Sequence, residues 1–166
     1  MNKILIKGGM LHTMQEPLFC GDVLVEDGKI AAVGPSLEAK DAQIIDASGL
    51  HVLPGLIDAH SHIGLFDFNH DKSVDDANEM TDPVSAAMDA RYGMNPKARE
   101  LQVAYEHGIT SMLFTPGSGD VFCGQPLVAK TYGDNIFDMT VKAPAAVKIA
   151  LGGNPKNTFG ALKRMP

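Results

Sequence analysis

The chain has 166 residues, 45% of them hydrophobic, and a formal net charge of −6 with no basic run, which excludes nucleic acid and an anionic membrane surface as expected partners. No apolar stretch approaches the ~20 residues of a membrane helix, and Met1-Asn2-Lys3 leads straight into a strand-like segment instead of a signal core. Two cysteines, Cys20 and Cys123, lie far apart without metal-type spacing, so reduced thiols and a cytoplasmic location are expected.

Residues 3–52 read as short β-strands. Lys3-Ile4-Leu5-Ile6-Lys7 is a strand expected to stop at Gly8-Gly9. Asp22-Val23-Leu24-Val25-Glu26 alternates with period two, placing Val23 and Val25 on one face. Asp27-Gly28 then makes a hairpin turn, because glycine tolerates the positive φ of a type I′ turn, and Lys29–Gly34 returns as the partner strand. Gln43–Asp46 and Leu50–Leu53 follow, separated by Ala47-Ser48-Gly49. Taken alone, these segments describe any small all-β module.

Leu53-Pro54-Gly55-Leu56-Ile57-Asp58-Ala59-His60-Ser61-His62 carries the strongest signal. It is an apolar run ending in two histidines spaced i, i+2, a spacing that sends both imidazoles to one face of a strand. Two neutral imidazoles side by side are half of a transition-metal site. An isolated His-x-His is common by chance. Here Pro-Gly precedes the strand, Asp58 sits two residues before the first histidine, and Gly64 follows.

Residues 65–81 are polar and acidic without periodicity and read as a loop. His70 within it is open to three readings: a ligand, a substrate contact, or neither. Asp82-Pro83 resembles an N-cap with proline in the first turn, predicting a helix over 83–92. Asn95-Pro96 repeats that signal before a second helix, with Ala98, Leu101 and Ala104 or Tyr105 on one stripe and a stop at Gly108. His107 falls in its last turn, where an imidazole complements the helix dipole. Ile109–Thr115 is an apolar β-prone run leading into Pro116-Gly117-Ser118-Gly119. The backbone N–H groups of that turn are either free to meet an oxyanion or simply part of a glycine-rich turn. Further strands are expected within 124–132 and 138–151. Residues 154–166 read as polar and irregular, ending as if cut inside a loop.

The run P-G-L-I-D-A-H-S-H, with the order of strands before it, resembles the first barrel strand of the amidohydrolase superfamily, metal-dependent hydrolases built on a (β/α)8 barrel. The nearest branch is the imidazolonepropionase-like and dihydroorotase-like group. The likeness spans nearly the whole chain, although only the segment around His60 and His62 is highly specific. It implies an α/β fold in which residues 1–53 form a small β-sandwich segment and residues 54–166 the first part of the barrel. A complete barrel takes about 250 residues, so the barrel is expected to be incomplete in this chain. A half barrel exposes strand edges. A companion chain carrying the rest of the barrel, or a homo-oligomer, is therefore expected.

The resemblance also implies the chemistry: hydrolysis of a C–N bond, amide or cyclic amide, in a small-molecule substrate. A metal supplies the nucleophile by lowering the pKa of bound water towards ~7. His60 and His62 are the candidate ligands, for zinc or for one or two divalent ions. Catalytic sites usually have three protein ligands, and in the superfamily later strands add histidines and a final aspartate. In binuclear members a strand lysine is carboxylated and bridges the metals. Lys148, within the apolar run Ala145–Leu151, resembles it. Alternatively Lys148 points outwards and snorkels into water, and Lys142 and Lys130 are rivals. Relatives of the imidazolonepropionase-like branch carry a glutamate where this chain has Gly153. Asp58 is expected to support the strand end, accepting a hydrogen bond from a ligand imidazole. The competing reading is a non-catalytic amidohydrolase-fold protein used in assembly or binding. A free-standing β-rich binding domain would leave the His-x-His strand without a purpose.

Overall fold

A computed structural model of the chain describes residues 2–66 and 76–160. His70 and the loop acids Asp67, Asp71 and Asp75 lie outside the described residues. The chain divides into two compact units, Met1–Pro54 and Gly55–Pro166.

The first unit is one sheet built around β1 (Lys3–Leu11). On one side β1 pairs antiparallel with β2 (Phe19–Glu26), which pairs antiparallel with β3 (Lys29–Gly34). On the other side it pairs in parallel with β4 (Gln43–Asp46) and then with β5 (His51–Val52). The β2–β3 hairpin turns on Asp27 and Gly28, both at positive φ (48° and 78°), as a type I′ turn requires. The expectation that β1 stops at Gly8-Gly9 is corrected. The strand continues to Leu11, and the glycines accommodate a shift of register against β2 between Ile6 and Gly9. Asp22 holds this irregularity together. Its buried carboxylate accepts the backbone N–H of Gly8 at 2.8 Å and of Leu37 at 2.9 Å, with Lys7 Nζ at 3.9 Å.

In the second unit β6 (Leu56–Ser61) pairs in parallel with β7 (Ile109–Phe114). β7 pairs antiparallel with β9 (Leu127–Lys130), and β9 with β10 (Thr140–Lys142). A separate ribbon joins β8 (Phe122–Gly124) to β11 (Lys148–Ile149). Between β6 and β7 lies α1 (Arg99–Glu106), and α2 (Ile136–Met139) and α3 (Gly153–Phe159) follow. Leu101 and Ala104 on the buried stripe of α1 join Met112, Phe114, Leu127 and Met139 in the core. Each fully buried large side chain there contributes about 1.5–3 kcal/mol. His107 ends α1 by donating Nδ1–H to the Val103 carbonyl at 2.8 Å, which satisfies one of the terminal acceptors. The unit is mixed α/β and strand-rich.

The helix expected over 83–92 does not form; only a 3-10 turn at Ala90–Tyr92 does. Asp82 does accept the Val84 N–H, as a cap would. The backbone groups that would close helical turns are instead taken by the 121–125 segment. Val121 and Phe122 donate to the Pro83 carbonyl, Ser85 to Phe122, Gln125 to Met88 and Ala90 to Gln125. Residues 124–151 likewise break into shorter pieces than expected, with α2 between β9 and β10.

Candidate functional site

The start of β6 explains the Pro-Gly signal. A Cβ built on Gly55 would lie 2.1 Å from Thr110 Oγ1, so only glycine lets β6 approach β7 this closely. Gly64, at φ +80°, turns the chain after the histidines, and its carbonyl accepts the Asn95 N–H at 2.8 Å.

The strand brings the two histidines together. The rings of His60 and His62 have centroids 5.0 Å apart at 84°. His62 donates Nδ1–H to the carbonyl of Thr115, at the end of β7, at 2.7 Å. A carbonyl can only accept, so this bond fixes the tautomer and leaves Nε2 with its lone pair. Phe66 packs edge-on against His62 at 5.5 Å. His60 is exposed, and its pKa is lowered from the ordinary imidazole value. Partial desolvation is the main cause, followed by the Lys148 ammonium and the His62 ring, while Asp58 opposes them.

Lys148 is therefore within electrostatic reach of His60, 88 positions away in sequence. It sits on β11, half-buried, with Nζ 3.5 Å from the Pro116 carbonyl. His60, His62 and Lys148 thus gather around the ends of β6 and β7. The carbonyl partners of His62 and Lys148 are consecutive, Thr115 and Pro116. Lys130, one rival, turns elsewhere and donates to Ser111 Oγ at 3.2 Å; Lys142 is exposed. Asp58 does not reach an imidazole. Its carboxylate accepts the backbone N–H of His60 at 3.0 Å, an Asx-type bond that stiffens the strand end. In the 116–119 turn two of the N–H groups are already taken: Gly117 donates to the Ala77 carbonyl at 2.7 Å and Gly119 to Asn78 Oδ1 at 2.8 Å.

A cleft of about 320 Å³ lies beside this turn, lined among others by Leu65, Asp76, Glu79, Tyr92, Pro116 and Cys123. Near it is a group the sequence did not single out. Asp120 is 1% exposed, and neither carboxylate oxygen meets a partner in good hydrogen-bond geometry, although the Ser85 hydroxyl is close enough to act on it. Burial pushes its pKa up, Ser85 partly offsets this, and the Glu79 and Asp82 carboxylates add to the rise. An acid after Gly-Ser-Gly reads as an ordinary turn residue, and no local pattern marks it as buried. Burial also pushes up the Cys123 thiol, whose Sγ lies 3.1 Å from the Asp120 carbonyl.

Among the described residues no three His, Cys, Asp or Glu side chains converge to hold a metal. The donor chemistry still fits one. His60 carries a depressed pKa, and the Thr115 bond leaves Nε2 as the free nitrogen of a neutral His62 ring; neutral imidazole nitrogens are the form in which histidine binds transition ions.

No family model matches the chain. It is 35% identical over 162 positions to "Amidohydrolase tasK" of Hapsidospora irregularis, covering 88% of this chain and 16% of that protein. It is 43% identical over 61 residues to a D-hydantoinase of Geobacillus stearothermophilus, covering 37% of this chain and 13% of the relative. The crystal structure of an amidohydrolase from Thermotoga maritima superposes with a TM-score of 0.93 at 40% identity, over 98% of this chain and 43% of that one. The chain therefore spans about a sixth or less of these two curated relatives. Its homologues are amidohydrolases, and the chain belongs with them.

Proposed function

We propose that this chain supplies the first ligand strand and the lysine of a metal-dependent hydrolase that opens a C–N bond, of the cyclic-amide type, in a small molecule. The observation that carries the reading is the meeting of His60, His62 and Lys148 at the ends of β6 and β7, with His62 locked by Thr115. The named activity of a hydantoinase among the relatives supports the substrate class.

His60 and His62 would hold a zinc-class ion through neutral imidazole nitrogens. Lys148, carboxylated, would join them in a site for two ions. Such an ion, when bound, supplies a Lewis acid for the scissile carbonyl and an activated water. This chain's own groups prepare the place. Thr115 fixes the orientation of the His62 ring, Asp58 stiffens the backbone beneath His60, and before Lys148 is carboxylated its ammonium disfavours protonation of His60. A second cleft, lined by Lys148 itself with Ser118, Ile149 and Asn154, offers space for part of a substrate.

We read residues 54–166 as the first part of a (β/α)8 barrel and residues 1–53 as its sandwich segment. β6 lies at the end of its sheet in the described residues, with Leu56 and Ile57 exposed at 55% and 73%. A further strand laid against β6, from a companion chain or a second copy, would cover them. The two free cysteines are in keeping with a cytoplasmic, reducing location.

The test is metal analysis of the assembled barrel together with hydrolysis of hydantoin-type substrates. Near-stoichiometric zinc that is lost with activity in His60→Ala supports the enzyme. A metal-free assembly indifferent to that substitution makes the chain a non-catalytic amidohydrolase-fold protein of assembly or binding.

A further inference from the structure

In the first unit a second pair of imidazoles meets. His12 Nε2 lies 2.7 Å from His51 Nδ1, with ring centroids 5.0 Å apart. The sheet places them there. β1 and β5 run in parallel with Met10 opposite His51, and His12 continues the ladder by donating its N–H to the Val52 carbonyl at 2.9 Å. Registered neighbours in a sheet project to the same face about 4.8 Å apart, and i, i+2 residues of one strand share a face. Met10, His12 and His51 therefore project from one face at a single strand junction. Met10 is 37% exposed, and His51 is exposed.

We infer that this corner of the sheet is a binding site for a soft transition-metal ion, Cu(I), held by the two imidazoles and the Met10 thioether. At 2.7 Å, a single proton lies between the two ring nitrogens. The lone pair of the other nitrogen accepts it, an N–H···N hydrogen bond between two neutral rings. An ion replacing the proton needs metal–nitrogen bonds of about 2 Å. The rings reach that by turning slightly about their side-chain torsions at an exposed strand end. Thioether and imidazole together select a soft ion over magnesium or calcium, which require oxygen donors. Methionine has three rotatable bonds, so its sulfur can close on an ion lying between the rings. Cys20 stands opposite Met10 on β2, but its Sγ turns to the Gly8 carbonyl at 3.6 Å and is not needed for the site.

The experiment is an anaerobic titration of the 166-residue chain with Cu(I) buffered by bicinchoninate, in a Cys20→Ser, His60→Ala, His62→Ala background that removes the exposed thiol and the other imidazole pair. One equivalent of Cu(I) is expected to bind, and X-ray absorption is expected to show two nitrogen scatterers and one sulfur. His12→Phe is expected to weaken binding by at least about a hundredfold. Met10→Leu, which keeps size and hydrophobicity and so leaves the sheet folded, is expected to weaken binding about tenfold and to remove the sulfur scatterer. No Cu(I) uptake in this background, uptake that survives His12→Phe, or a sulfur signal that persists in Met10→Leu each overturns the inference.

Discussion

His62 donates its Nδ1 proton to the Thr115 carbonyl at 2.7 Å, joining the ends of β6 and β7 across 53 positions of sequence. The bond takes one ring nitrogen into the scaffold and leaves the other as a base. An imidazole anchored in this way keeps its orientation without paying side-chain entropy again when a ligand arrives, which is how supporting hydrogen bonds tune metal-binding histidines.

The electrostatics of His60 are testable without a metal. Desolvation, the Lys148 ammonium and the His62 ring lower its pKa, and Asp58 raises it. In the metal-free chain, NMR titration is expected to place the His60 midpoint below that of a free histidine. Lys148→Met should move the midpoint up by removing a positive charge, and Asp58→Asn should move it further down. An unchanged midpoint in Lys148→Met would show that the lysine does not face the ring.

Gly55→Ala is expected to destabilise the second unit by about 1–3 kcal/mol, the usual cost of forced overpacking. The added Cβ would sit 2.1 Å from Thr110 Oγ1 and 2.4 Å from its Cγ2. Thr110→Ala removes both of those atoms while leaving its own Cβ at 2.8 Å, so the double variant should recover part of the loss. Urea denaturation of the three variants measures this. Additive losses would contradict the contact.

Asp22 anchors the irregular stretch of β1. Its pKa is lowered by the backbone bonds from Leu37 and Gly8, with Lys7 adding a smaller effect against the cost of burial. Because the folded value lies below the unfolded one, its stabilisation is complete above the unfolded carboxylate value of 3.8 and is lost as pH falls through the folded value. Asp22→Ala strands two amide donors and should cost about 2 kcal/mol at neutral pH. The cost should shrink as pH falls from 3.8 through the lower folded value, where the parent carboxylate takes up its proton. A pH-independent cost in thermal melts would contradict this account.

Asp120 behaves in the opposite sense. Burial raises its pKa above 3.8 against a smaller opposing effect of Ser85, so folding grows less favourable as pH rises from there through the folded value. Asp120→Asn removes the ionisable group and keeps the shape. It should stabilise the chain at pH 7 by about 1 kcal/mol and flatten the pH dependence. Lower stability than the parent at pH 7 would show that the carboxylate has a partner in solution.

What was legible in the chain depended on range. The Asp27-Gly28 hairpin was readable because two adjacent residues determine its geometry, and the His60/His62 pairing because strand periodicity does. The α1 stripe of Leu101 and Ala104 was readable for the same local reason. The helix over 83–92 misled: Asp82 caps as expected, but the backbone of 83–90 finds its partners in 121–125, a competition invisible to local propensity. The meeting of Lys148 with His60 depends on β11 pairing with β8, and the burial of Asp120 on the packing of the second unit. Neither leaves a trace in neighbouring residues. Asp58 was placed on the right strand, yet its carboxylate prefers the nearby N–H of His60 to a more distant ring.

The central claim is that His60 and His62 grip one cation, and zinc titration of the chain followed by nitrogen-15 NMR of the imidazoles tests it directly. The account predicts that the Nε2 resonance of His62 and one ring nitrogen of His60 shift together, saturating at the same single equivalent, while His62 Nδ1 keeps its proton. Zinc that moves one ring and leaves the other unaffected, or that moves neither, would contradict it.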